Sequence, residues 1–291
     1  MPSTAQPAGR KSPLDRVPPQ SFFLVSAVFH YLGPSLAVLL FARVGVLGVA
    51  WLRIASAAVV FALWRRPWRQ LAMSGPRLWT LLGLGVVLAA MNSCFYLAVD
   101  RLPLATVGTI EFLGTIVLAA AGARTRRNAG ALALTVGGVA LMTVVKFAGQ
   151  PLGFVFAFAN CALFMLYVIL GHRVAGDRGI DLLAAAMLIA AVVATPIGLP
   201  AALPAFGHPD LLLAGVGVGV CSSVIPYVTD QLAMARLTRD TFALMLALLP
   251  LSATLIGAIV LRQIPTPRDV VGVALVTAGV ALHKSPPRHE R

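Results

Sequence analysis

Long apolar stretches follow one another along almost the whole chain, separated by short punctuation rich in arginine, proline and glycine. A helix needs roughly 20 mainly apolar residues to cross a bilayer. Ten stretches meet or approach that length: residues 22–42, 46–64, 78–99, 103–122, 128–146, 152–171, 181–203, 210–234, 240–261 and 268–283. They are long and lack period-two alternation, which excludes the strands of a membrane β-barrel. The connecting segments are short, so no soluble domain has room between them. The pattern predicts an all-α membrane protein with ten transmembrane helices.

The segments at the two ends differ in kind. Residues 1–20 hold Pro2, Pro7, Pro13, Pro18 and Pro19 beside Arg10, Lys11 and Arg16, and read as a disordered tail; residues 285–291 form a second tail. The apolar run from Phe22 to Ala42 exceeds the roughly 7–15 residues of a signal-peptide core, so it is expected to stay as the first span. Lysines and arginines then set the orientation. One set of alternating segments holds Arg65, Arg66, Arg69 and Arg77, Arg124, Arg126 and Arg127, Arg173 and Arg178, Arg236 and Arg239, and the basic residues of both tails. The other set holds only Arg43, Arg101, Lys146, Arg262 and Arg268. Positive charge is retained on the cytoplasmic side, which places both termini there.

Two short internal matches divide the chain. LAVDRLPLAT at 97–106 resembles LAMARLTRDT at 232–241, and GVAL at 138–141 recurs at 279–282. They relate spans 3 to 5 to spans 8 to 10, giving a five-helix repeat over 21–148 and a second over 149–284. An odd number of spans per half inverts one half relative to the other. Such inverted repeats mark secondary transporters, whose substrate site lies near the midplane between the halves.

Composition agrees with this reading. The chain is 59% hydrophobic and 11% charged over 291 residues, with mean hydropathy +0.89, whereas soluble domains carry roughly 25% charged residues. A net charge of +13 would suggest nucleic acid in a soluble protein, but here the basic residues sit in loops and no basic stripe interleaves with stacking aromatics. Cys94, Cys161 and Cys221 each lie inside an apolar span, outside any CxxC pair, and read as packing residues rather than as metal ligands or disulfide partners.

Against this apolar background the intramembrane polar residues stand out. Glu111 follows the turn Asp100–Pro103 and sits roughly 12 Å down the fourth span. A carboxylate at that depth is expensive to hold and points to a substrate or coupling-ion site. Arg53 on span 2 and Asn92 on span 3 lie about 10 Å from the same face, so the three share a layer of the membrane. Arg53 either enters a common cavity or runs to the outer interface. Asn92 and Tyr96 share a helix face, as do Gly108, Glu111 and Thr115. His30 on span 1 is followed by Gly33 and Pro34, and proline frees a carbonyl in a membrane helix. Tyr227, Asp230 and Gln231 follow Pro226 on span 8; for Asp230, near the inner end, the competing reading is solvation beside Arg236. Asn160 and Tyr167 on span 6 are placed to line the same cavity. Burial and a neighbouring arginine act on Glu111 in opposite senses, which suits exchange of a proton for substrate.

The loops carry no GxxxxGK[ST], GxSxG or HExxH signature and no paired aspartates for a divalent metal. Nothing therefore calls for a cofactor, a metal or an enzymatic role. Two alternatives remain besides a transporter: a non-transporting scaffold or assembly subunit, and an enzyme acting on lipid at a membrane face. The glycine-rich face from Gly215 to Gly219 is open to packing within the monomer or to a homodimer.

Several segments resemble the drug/metabolite transporter superfamily, specifically its EamA-type exporters and, within them, the bacterial threonine/homoserine exporter group. They are AWLRIAS at 50–56, AMNSCFYLAVDRLPLA at 90–105, IEF at 110–112, YVILGHRVAGD at 167–177 and the long stretch from Ser222 to Ser252. The resemblance implies a multi-pass inner-membrane permease that moves amino acids or related metabolites outward in exchange for protons. Three departures accompany it. Relatives often carry Glu-Pro in span 9, where this chain has Leu249-Pro250. They often carry Gly-Glu at the end of that span, where this chain has Arg262-Gln263. They carry proline where this chain has Thr115. Glu111 is thereby left as the carboxylate nearest mid-membrane, and the repeat register sets Leu246 opposite it.

Overall fold

The computed structural model describes residues 17–72, 74–122, 125–143, 150–174, 179–234 and 248–282. The tails, Arg236, Leu246 and most of the second copy of the 97–106 match lie outside these residues, as do the side chains of Thr115, Arg173 and Gln231. Within them the chain is helical. The helices are α1 (Pro19–Val38), α2 (Phe41–Val44), α3 (Val46–Arg65), α4 (Trp68–Leu71), α5 (Pro76–Val99), α6 (Leu104–Gly122), α7 (Arg126–Thr143), α8 (Pro151–Val174), α9 (Gly179–Phe206), α10 (Pro209–Gly219), α11 (Ile225–Met234), α12 (Leu248–Leu261) and α13 (Pro267–Leu282). A π-helical turn, Val220–Val224, joins α10 to α11 without a break. Helices satisfy their own backbone groups, which is what a hydrocarbon environment requires.

Five helical stretches are long and apolar enough to cross a membrane: Gln20–Val38, Val46–Arg65, Pro76–Val99, Gly179–Phe206 and Pro209–Asp230. Their outer faces present large apolar side chains, among them Val59, Leu63, Val192, Ile197 and Leu213. Trp64, Trp68 and Trp79 are exposed where α3 ends and α5 begins, beside Arg65, Arg66, Arg69 and Arg77. Tryptophan and arginine together suit a headgroup layer.

The helices pack in reciprocal pairs. α3 runs along α9, and α7 along α13; α5 contacts α8 and α9, while α1 and α3 contact the α10–α11 segment; α6 packs on α8, and α12 on α1. Lipid tails give apolar helices no reason to associate, so close approach of small residues must hold them. The glycines show where. A Cβ at Gly138 on α7 would lie 2.6 Å from the Gly272 carbonyl oxygen on α13, and one at Gly279 would lie 2.7 Å from the Ala131 oxygen on α7. In the register that equates Gly138 with Gly279, these are the same contact made twice. Likewise, Gly48 on α3 meets the Ala201 carbonyl on α9, while Gly198 on α9 meets Trp51 on α3. Trp51 Nε1 also donates to Thr195 Oγ1 at 2.9 Å across this pair. Gly215 and Gly219 pack on Leu52 and the Arg53 carbonyl within the chain, so that glycine face is occupied inside the monomer.

The turn between α5 and α6 spans Asp100 to Pro103. Arg101 closes the end of α5 by donating from Nη1 to the Leu97 carbonyl at 2.7 Å. The first N–H of α6, on Leu104, is capped from another helix: Gln263, just beyond α12, accepts it through Oε1 at 3.0 Å.

Candidate functional site

Inside the bundle lies a small cavity lined by His30 and Pro34 of α1, Arg53 of α3, Met91, Asn92 and Phe95 of α5, Glu111 of α6, Asn160, Phe164 and Tyr167 of α8, and Tyr227 of α11. Arg53, Asn92, Glu111, His30 and Tyr227, all singled out in the sequence, are brought together here. Asn160 and Tyr167 of α8 join them. Tyr96 and Asp230 do not line the cavity. Tyr96 is fully buried behind it, with its ring under the Arg53 guanidinium at 5.4 Å. Asp230 lies one turn below Tyr227, with Ser26 of α1 in hydrogen-bonding reach.

Arg53 does not run to the outer interface. It is only 6% exposed and turns inward. Its Nε donates to Ser223 Oγ at 3.0 Å and its Nη2 to the Ser222 carbonyl at 3.1 Å. The sequence explains why that carbonyl is available. In an α-helix the Ser222 oxygen would accept from residue 226, which is Pro226 and has no N–H. The π turn and the freed carbonyl both follow from that proline, and Arg53 takes the vacated bond. Gly33 lets α1 approach the same turn, since a Cβ there would lie 2.7 Å from the Ser222 nitrogen. Ser222 and Ser223 were not among the residues the sequence singled out, although Pro226 was the signal for them.

Glu111 is 4% exposed. Asn160 Nδ2 donates to its Oε1 at 3.4 Å, while Glu111 Oε2 and Asn160 Oδ1 have no hydrogen-bond partner among the described residues. The Tyr31 hydroxyl is buried nearby, also without a partner, against Gly108 one turn before Glu111 on α6. Asn92 donates to the Leu88 carbonyl at 2.7 Å and faces the Tyr227 hydroxyl. The ion pairs of the described residues lie elsewhere: Arg43 with Asp210, Arg65 with Asp181, and Arg101 with Asp100. Arg53 and Glu111 therefore border one cavity and sense each other's charge without forming an ion pair. Leaving polar groups buried without partners is unfavourable by roughly 1–3 kcal/mol each, and by more for a charge. Such an arrangement serves binding better than packing. No cluster of metal-ligating side chains occurs among the described residues.

Comparison with known proteins gives this site its context. The model of the EamA-like transporter family matches residues 151–283, from the start of α8 to the end of α13. The chain is 30% identical over 253 residues to the threonine/homoserine exporter RhtA of Escherichia coli strain K12, covering 84% of each protein. It is 30% identical over 252 residues to the protein of the same name in Salmonella typhimurium strain LT2, again covering 84% of each. A solved crystal structure shares the fold with a TM-score of 0.57 at 21% identity, covering 90% of this chain and 97% of that one. The matching family and the two named exporters are transporters, and a membrane protein of helices that pack around a buried polar cavity agrees with them: the chain belongs to the EamA-like transporter family, within the drug/metabolite transporter superfamily.

Proposed function

We propose that this protein is a secondary transporter that exports small polar metabolites, most of all amino acids such as threonine and homoserine, across the cytoplasmic membrane in exchange for protons. The observation that carries the reading is Glu111: a buried carboxylate with a free acceptor atom, bordering a cavity lined by residues of α1, α3, α5, α6, α8 and α11. A proton and a substrate cation compete for such a carboxylate because they occupy the same place. Binding one displaces the other, and that exclusion is antiport. A substrate is moved when the cavity opens to the two sides in turn.

Ten spans in two inverted halves, with both termini cytoplasmic, supply the framework for alternating access. The reciprocal glycine contacts between α7 and α13 and between α3 and α9 support a twofold relation of the halves. Asn92, His30 and Tyr227 line the path as hydrogen-bonding groups, Tyr96 backs Arg53, and Asp230 sits at the inner approach beside Ser26. The relatives' printed names supply threonine and homoserine as first substrates to test.

The test is purified protein in liposomes under an imposed pH gradient, challenged with a panel of radiolabelled amino acids. Uptake of threonine or homoserine against its gradient, lost in Glu111→Gln, is the expected result. A Glu111→Gln protein that still couples transport to the gradient would remove the carboxylate from the mechanism. No movement of any substrate under any gradient would favour a scaffold.

A further inference from the structure

Arg53 and Glu111 are opposite charges at one cavity, held apart. Charged groups at membrane depth usually pair with one another or with backbone carbonyls. Here Arg53 does bond a backbone carbonyl, but neither charge meets an opposite one. Arg53 is fixed by Ser223 Oγ and the Ser222 carbonyl, and Glu111 by the Asn160 amide. Neither tether cancels a charge. The guanidinium keeps Nη1, with two N–H groups and no carbonyl or carboxylate acceptor among the described residues. On the other side Glu111 Oε2 and Asn160 Oδ1 are both acceptors without partners. Two acceptors on adjacent side chains suit a group that has three donors and no acceptor, which is an ammonium. A planar guanidinium suits a carboxylate.

We infer that the cavity reads its substrate as an α-amino-acid zwitterion, with Arg53 taking the α-carboxylate and the Glu111–Asn160 pair taking the α-ammonium. This rests on the reading that the cavity transports amino acids, and it adds that both free groups are required. The substrate's own dipole completes a charge pair that the protein leaves open.

The experiment compares L-threonine with L-threoninamide, which lacks the carboxylate, and N-acetyl-L-threonine, which lacks the ammonium. Each competes with radiolabelled L-threonine exchange in proteoliposomes, and each is tested for thermal protection of the detergent-solubilised protein. A charge-assisted hydrogen-bonded contact is worth about 1.5–3 kcal/mol, so each analogue is expected to bind roughly tenfold to a hundredfold more weakly than threonine. In the protection assay, Arg53→Gln narrows the gap between threonine and the amide, and Glu111→Gln narrows the gap between threonine and the N-acetyl compound. If Arg53→Gln does not fold, the wild-type analogue series still decides. Equal competition by either analogue would overturn the proposal while leaving amino-acid transport standing. Failure of every amino acid to protect or compete would overturn the transport reading beneath it.

Discussion

At the scale of single residues, Glu111 was legible because a lone carboxylate in an apolar span has few structural uses. Arg53, at the same cavity, was legible as an oddity but its contacts were not, because a long cationic side chain reaches either the interface or the interior from the same position. What decides its direction is the acceptor offered by a distant segment, Ser222. The departure at Arg262-Gln263 also acquires a physical meaning. Gln263 caps Leu104, while Arg262 sits at φ 53°, a left-handed conformation that favours glycine. Arg262→Gly is therefore expected to stabilise the protein by about 1 kcal/mol, seen as a higher melting temperature in detergent. An unchanged or lower melting temperature would count against strain at that position.

Among the elements, the long helices follow the apolar runs closely, as residues 78–99 and 181–203 do against Pro76–Val99 and Gly179–Phe206. The short α2 and α4 and the π turn were not legible, since hydropathy averages over them. The π turn is the element on which the site depends. Pro226→Ala returns an N–H to the helix, allows the Ser222 carbonyl to bond within it, and takes one acceptor from Arg53. The expected outcome is a folded protein whose half-saturating threonine concentration rises by roughly tenfold, the equivalent of one hydrogen bond to a charged group. Unaltered kinetics would mean that Arg53 does not need that carbonyl. Glycines give a paired test of helix crossing. Gly138→Ala forces a Cβ against the Gly272 carbonyl and is expected to destabilise by about 1–3 kcal/mol. A Cβ at the neighbouring Gly137 meets nothing within 4 Å, so Gly137→Ala is neutral or stabilising by up to about 1 kcal/mol. Thermal melts of the two variants should move in different directions, and equal losses would contradict the close α7–α13 approach.

For the whole molecule, the arginine distribution and the repeated GVAL segment predicted an orientation and a division into halves. The GVAL register recurs in the contacts as Gly138 on Gly272 and Gly279 on Ala131. Glu111 has no obvious carboxylate counterpart in sequence, because the register of the 97–106 and 232–241 match places Leu246 opposite it. Orientation is open to a direct check. A fluorescent protein fused after Arg291 should fluoresce in bacterial cells, and a periplasmic phosphatase fused there should be inactive; an active phosphatase would invert the proposed topology. The central claim is narrower, that one carboxylate exchanges a proton for an amino acid. It is tested most directly by adding L-threonine to the purified protein in weakly buffered detergent and recording pH across a series of starting values. Wild-type protein should release protons on binding, and Glu111→Gln should bind threonine more weakly and release none. Binding without proton release in the wild type at every pH, or equal release by Glu111→Gln, would contradict the mechanism.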